Sequence, residues 1–445
     1  MRRWMTLAGY ILVPGSHFGG MWRHPYSETD FCDRSLYEDV ARTLERGGFD
    51  LAFVPESLSI ATGAGGDYRT FVAHGAVGSI RHDPSHLVAA MAGVTQHLGF
   101  TVTLSTTYME PYHIARIFST LEHFSGGRMA WNIVTSAGES NAHNFGHFTP
   151  LDSPAAYRRA DETLTVCSQL WNSWDEDALL RDKDSGRFAD PDKVSTIDHA
   201  GEFFRLRGPL SLPATPGGGP VLMAAGVSPR GRDFAARWAN VMFAIQNEAA
   251  GMAELRNDVR RRAEALGRDP AAIRLLAAVQ PVLGETRAIA AARAAYLDEI
   301  IHPEMARAFL AAMLGMDLAR FAADTPIEEV IAATPMRAAV DAGAAVPWLD
   351  QVRAEDPNRR WTMGDIALRL ARSSSTPRLV GTARDVADAL EAFFAAEACD
   401  GFVITPTHFP GSFDEFARAV VPELRRRGLV RADAPPQGLR ARLGL

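Results

Sequence analysis

Short runs of apolar and β-branched residues recur along the chain, and most are followed by stretches whose apolar residues fall three or four positions apart. The first run, Met5–Val13, predicts a strand. Ser35–Arg46 then carries Leu36, Val40 and Leu44 on one stripe and is closed by Gly47-Gly48, which reads as a helix with its stop signal. Leu51–Val54 predicts a second strand, and Phe100–Thr106, rich in β-branched residues, a third. Pro111 opens a helix with Ile114, Ile117, Phe118 and Leu121 at i, i+3, i+4 and i+7. Proline suits that first position because its missing N–H would have had no helical partner. Gly126-Gly127 ends the helix, and Met129–Val134 is the fourth strand. Tyr157–Trp174 reads as helix, Val221–Ala225 as a fifth strand, and Pro229 opens another helix. Val241–Ile245, Ile273–Val282 and Gly401–Thr405 complete a set of about eight.

Strict strand-then-helix alternation implies parallel strands covered on both faces. Eight such units predict an α/β fold, a TIM-type (β/α)₈ barrel. An open doubly wound sheet alternates too, but the first strand–helix turn lacks the G-x-G-x-x-G of a dinucleotide-binding sheet. Two stretches exceed the repeat. Arg181–Leu212 is polar and punctuated by Gly and Pro, as a loop plus a small hairpin would be. His302–Pro377 is helical, Ala-rich and too long for a simple connection. The chain is expected to be one barrel domain, 1–445, with both insertions over the C-terminal ends of the strands, where barrel enzymes carry their active sites. Both insertions are candidate lids.

Composition narrows the function classes. Lys and Arg number 46 against 53 Asp and Glu, a formal charge of −7, which argues against nucleic acid or an anionic membrane as partner. Cys32, Cys167 and Cys399 are dispersed and odd in number, which fits a reducing, cytoplasmic location better than a disulfide framework. Apolar runs stay short of the roughly 20 residues a membrane span needs. The 13 histidines make neither H-E-x-x-H nor a strand-end H-x-H pair, and Gly146 argues against a helix joining His143 to His147, so no metal is expected. A serine nucleophile elbow, G-x-S-x-G, is absent as well.

Gly226-Val227-Ser228-Pro229 lies between a strand and a helix, with Ser228 as cap and Pro229 as first helical residue. Such a turn presents free N–H groups and the positive end of the helix dipole, and can hold a phosphate. It can equally be an ordinary capped turn. Thr103, Ser105, Thr106 and Thr107, then Asn132, Thr135 and Ser136, and Glu56, all end strands. Neutral donors and acceptors there suit a flavin ring, although Ser, Thr and Asn are common at strand ends in any case.

The motifs together resemble the nitrilotriacetate monooxygenase group of the bacterial luciferase-like superfamily. They include Trp22-Arg23-His24-Pro25, Gly48-Phe49-Asp50-Leu51-Ala52-Phe53, Ser105-Thr106-Thr107-Tyr108 and Pro111-Tyr112-His113-Ile114-Ala115-Arg116. Leu121-Glu122-His123-Phe124-Ser125-Gly126-Gly127-Arg128, Trp131-Asn132-Ile133-Val134-Thr135-Ser136, Ala225-Gly226-Val227-Ser228-Pro229 and the tail Gly438-Leu439-Arg440 continue the match nearly end to end. The resemblance implies a TIM barrel that uses reduced FMN and O₂ to oxygenate a small organic substrate. A separate NAD(P)H-dependent flavin reductase would supply the flavin, and the protein would be a homodimer or homotetramer. It implies cofactor contacts from Glu56, Thr103, Asn132, Ser153, Tyr157 and Ser228, with Ser228 and Tyr157 at the phosphate and Thr103 and Asn132 near the ring. Two positions depart from the pattern: Glu56 where Asp is usual, and Ser153 where His is common. His17, His113 and Glu56 are the candidates for acid–base work, each with a structural reading beside it. Two other readings stay open: deazaflavin-dependent hydride transfer on the same fold, and non-catalytic flavin binding.

Overall fold

The computed structural model describes residues 3–63, 67–75, 79–136, 138–215, 217–333, 342–431 and 437–445. Eight parallel strands close on themselves: β1 (Thr6–Tyr10), β2 (Leu51–Val54), β3 (Gly99–Ser105), β4 (Met129–Val134), β5 (Val221–Ala224), β6 (Val241–Ala244), β7 (Arg274–Leu283) and β8 (Gly401–Ile404). Closure comes from β6 pairing with β7, Val241 opposite Arg274, and from β8 pairing with β1, Gly401 opposite Thr6. One helix follows each strand around the ring: α1 (Arg34–Gly47), α2 (Pro84–Gly93), α3 (Pro111–Ser125), α4 (Ser153–Trp171), α5 (Pro229–Trp238), α6 (Ala249–Ala265), α7 (Ala383–Ala395) and α8 (Gly411–Arg426). The TIM-type barrel expected from alternation is the observed fold.

Local chemistry sets the helix ends. Asp33 caps α1 by accepting from the Ser35 N–H, and Gly48 closes it at φ 79°, a left-handed conformation that glycine adopts without a Cβ clash. Asp152 caps α4 by accepting from Ala155 N at 2.7 Å. That cap starts the helix four residues before the expected Tyr157. The first strand is shorter than Met5–Val13 because β2 stops at Val54: Ile11 N still reaches Phe53 O, but beyond it β2 has no further ladder partner.

Alternate residues of the strands fill the barrel. Ala8, Tyr10, Phe53, Ala130, Met223, Val241, Leu276 and Val403 form one buried cluster, closed from the amino-terminal end by Leu439 and Leu443. The C-terminal tail is held there by buried Arg442, which donates to Asp50 Oδ1 at 2.8 Å and to the carbonyls of Phe49 and His97. Arg128 fills a similar role, with Nη contacts to the carbonyls of Ala92, Thr95 and Leu98. The Ser-Gly-Gly-Arg and tail motifs therefore serve the fold, at the end of the barrel away from any chemistry.

The two insertions behave differently. Arg181–Leu212 contributes to two short hairpins, Leu179–Asp182 with Arg187–Ala189 and His199–Ala200 with Arg205–Leu206, where one was expected. The Glu162 carboxylate of α4 accepts from the N–H groups of Phe203 and Phe204 and from His199 Nε2, all within 3.0 Å. That anchors the segment along the flank of α4. The second insertion holds helices Pro303–Leu314, Ile327–Ala333, Ala342–Glu355 and Met363–Ala371; residues 334–341 within it lie outside the described residues. It packs on the loop after β1, through Gly19 N to Ala371 O at 2.9 Å and Ser374 Oγ to His17 O at 3.2 Å.

Candidate active site

Polar side chains gather where β3 and β4 leave the barrel. Thr103 faces Asn132 in register. The Thr103 hydroxyl donates to Val54 O at 2.9 Å and accepts from Asn132 Nδ2 at 3.1 Å. This pins the amide and leaves Asn132 Oδ1 buried without a partner among the described residues, as is Thr101 Oγ1 one turn of the pleat below. An unpaired polar atom in a protein interior costs about 1–3 kcal/mol, so several in one place point to a polar ligand that satisfies them.

Glu56 sits just past the end of β2 with its Oε2 also buried and, among the described residues, unpartnered. Burial pushes this carboxyl up to about 8, and the charge of Asp83 adds to the rise. At neutral pH it is a neutral acid able to donate a hydrogen bond.

Beyond this layer lie Tyr10, His17 and Arg81. The Tyr10 and His17 rings are 4.5 Å apart between centroids. Burial raises Tyr10 to about 12, with the Arg81 charge opposing, and lowers Arg81 to about 10 and His17 to about 4. His17 is therefore neutral near pH 7, and its Nδ1 lies 2.7 Å from Thr376 Oγ1 of the long insertion. His113 stands apart from this group: it is exposed on the first turn of α3.

The second cluster is the turn between β5 and α5. Ser228 Oγ caps α5 by accepting from Gly231 N at 3.1 Å. A Cβ on Gly226 would lie 3.0 Å from Tyr157 Oη and 3.1 Å from Gly231 Cα, so a side chain here would push these groups apart by a few tenths of an ångström. Arg230 projects beside the turn, its guanidinium 5.2 Å from the Tyr157 ring centre and paired with Asp161 at 2.5 Å. Ser228 itself is exposed. Ser153, at the start of α4, is exposed and makes no cap, since Asp152 does.

The structure thus joins Thr103 to Asn132 and sets Tyr157 beside the Gly226–Ser228 turn, at the carboxyl ends of three successive strands. Tyr10, Thr101, Arg81 and Thr376 escaped the sequence reading. Thr101 was accessible to it, because alternation along β3 puts residues 101 and 103 on one face. Arg81 and Thr376 reach the site only through long-range folding.

A cavity of about 230 Å³ adjoins the mouth, lined mainly by apolar groups of Pro14, Trp22, Phe31, Val72 and Ile80. Among the described residues, no helix is long and apolar enough to cross a membrane.

Residues 33–399 match the luciferase-like monooxygenase family. The chain belongs to that family. Its enzymes are flavin-dependent oxygenating oxidoreductases acting on small organic molecules, and this chain is one of them. It is 41% identical to the dibenzothiophene-sulfone monooxygenase of Rhodococcus erythropolis, over 100% of this chain and 97% of the relative. It is 35% identical to nitrilotriacetate monooxygenase component A of Aminobacter aminovorans, over 99% of this chain and 96% of the relative. A solved structure of riboflavin lyase with modified FMN and riboflavin superimposes with a TM-score of 0.86 at 30% identity, covering 99% of this chain and 96% of that one. The hydride-transfer reading has less support than the oxygenating one.

Proposed function

We propose that this luciferase-like monooxygenase binds reduced FMN across the carboxyl ends of β3, β4 and β5 and oxygenates an apolar, sulfur-containing ring compound. The observation that carries the cofactor reading is the pairing of two clusters. Asn132 Oδ1, Thr101 Oγ1 and Glu56 Oε2 are buried acceptors or donors lacking partners, as a flavin ring edge requires. The Gly226–Ser228 turn offers free N–H groups and a helix N-terminus, as a phosphate requires. Ser228 and Tyr157 would hold the phosphate, Thr103 and Asn132 the ring, with Ser153 and Glu56 at its margins.

When bound, reduced FMN supplies the electrons that activate O₂. The chain's own residues bind and orient it and keep water from the reacting atoms. Neutral Glu56 donates where an ionised carboxylate would repel an anionic flavin, and neutral His17 holds the long insertion over the mouth through Thr376. A separate NAD(P)H-dependent flavin reductase as electron source, and a homodimer or homotetramer as the working state, belong to the same reading.

Two observations support the substrate class. The cavity beside the mouth is lined by Trp22, Phe31, Val72 and Ile80, with little to bind a polycarboxylate. Identity is also higher to the sulfone monooxygenase than to the nitrilotriacetate enzyme. Membership of the nitrilotriacetate group is therefore read as shared fold and cofactor pattern. The test is turnover with reduced FMN, dibenzothiophene sulfone and ¹⁸O₂. One labelled oxygen in the product is expected; flavin oxidation that leaves every tested organosulfur compound unlabelled contradicts the substrate reading.

A further inference from the structure

Beside the apolar cavity, the short helix Arg69–His74 meets the first turn of Pro303–Leu314. There His74, His302 and Glu304 come together from distant parts of the chain, each presenting a ligand atom within 4.8 Å of the others. They are the one such trio among the described residues. Their sequence spacing carries no metal signature, which is why no metal was expected.

We propose that His74, His302 and Glu304 bind a single divalent ion of the zinc class, which ties the segment after β2 to the start of the long insertion. Two imidazoles and a carboxylate are a donor set that zinc accepts, with a fourth position left to water. Ligand atoms around tetrahedral zinc lie about 3.3 Å apart. His74 Nε2 and Glu304 Oε2 are already 3.4 Å apart. The two imidazoles stack at 3.6 Å between centroids, 15° from parallel, so binding one ion requires the rings to splay until both nitrogen lone pairs converge on it.

A second observation points to a ligand here. His302 is the residue that begins Pro303–Leu314, yet its side chain caps no helical N–H. Its Nδ1 is buried and has no hydrogen-bond partner among the described residues. The helix N-terminus and the nearby Arg23, which donates to Ile300 O at 2.7 Å, oppose a cation. The Glu304 carboxylate in the first turn offsets them and supplies the anionic ligand.

The experiment is calorimetric titration of chelator-treated full-length protein with Zn²⁺ alone, for wild type, His74→Ala, His302→Ala and His86→Ala. His86 makes an exposed pair with Asp83 at 3.3 Å and serves as the control. Circular dichroism checks that each variant is folded. The expected result is one ion per wild-type chain, affinity lowered by about tenfold or more in His74→Ala and His302→Ala, and no change in His86→Ala. Hydrogen exchange in residues 69–75 and 302–306 should slow on zinc addition only where binding survives. No binding by wild type at millimolar zinc, or a loss of under about tenfold in both ligand variants, overturns the proposal.

Discussion

His17 Nδ1 and Thr376 Oγ1 lie 2.7 Å apart although 359 residues separate them. The contact joins the loop after the first strand to the last turn of the long insertion, and both groups are buried. Because burial holds His17 well below its usual range, at about 4, the link is one between neutral partners near pH 7.

Thr376→Val keeps the side-chain shape and strands the His17 nitrogen. It should cost about 1–3 kcal/mol in urea denaturation. If the insertion shields the reaction, the variant also releases more hydrogen peroxide per turnover. Lower stability with unchanged coupling of oxygen uptake to product would mean that the insertion does not exclude water.

Glu56 links pH to stability. Its folded carboxyl stays protonated up to about pH 8, whereas the unfolded chain ionises near 4.5. The sign follows from linkage: the stability gained by the neutral, buried form is fully present below 4.5 and is lost as pH rises through 8. Wild type should therefore lose stability between about pH 5 and about pH 9 relative to Glu56→Gln, as read from paired urea denaturation curves. Flavin affinity should fall over the upper part of that range in wild type and not in the variant.

Asn132→Leu removes a buried oxygen that has no partner in the free protein. Its stability should stay within about 1 kcal/mol of wild type, since losing an unmet oxygen offsets losing the Asn132 Nδ2 bond to Thr103. Affinity for FMN and for riboflavin should drop together, by about tenfold, because the contact is to the ring. A drop confined to FMN would place Asn132 at the phosphate instead.

Gly226→Ala forces a methyl to 3.0 Å from Tyr157 Oη and 3.1 Å from Gly231 Cα. The turn must shift, and FMN affinity should fall by about tenfold or more while riboflavin affinity changes little. Equilibrium titration with each flavin reads the difference.

All eight strands were legible in the sequence, because buried parallel strands leave short continuous apolar runs and the helices between them leave a period of 3.6. Edges were less legible. Leu12 and Val13 look as strand-like as Leu7, and only the end of β2 at Val54 decides that they leave the ladder. Thr103, Asn132, Tyr157 and Ser228 were visible as strand-end and helix-start positions. What sequence could not convey is contact between distant segments: His17 with Thr376, Tyr10 with Arg81, His74 with His302. For the same reason His113, one residue after Tyr112 in a family motif, gave no hint that it faces outward on α3.

The central claim, a phosphate held at the Ser228 turn, is tested most directly by anaerobic titration of wild type and Ser228→Asp with reduced FMN and with reduced riboflavin. Aspartate is as good a helix cap as serine, so α5 and the fold are preserved, but its carboxylate repels a phosphate. The account predicts that wild type favours FMN over riboflavin by about tenfold or more, and that Ser228→Asp loses this preference while binding riboflavin as wild type does. Equal affinity of wild type for the two flavins, or FMN binding by Ser228→Asp that matches wild type, would contradict it.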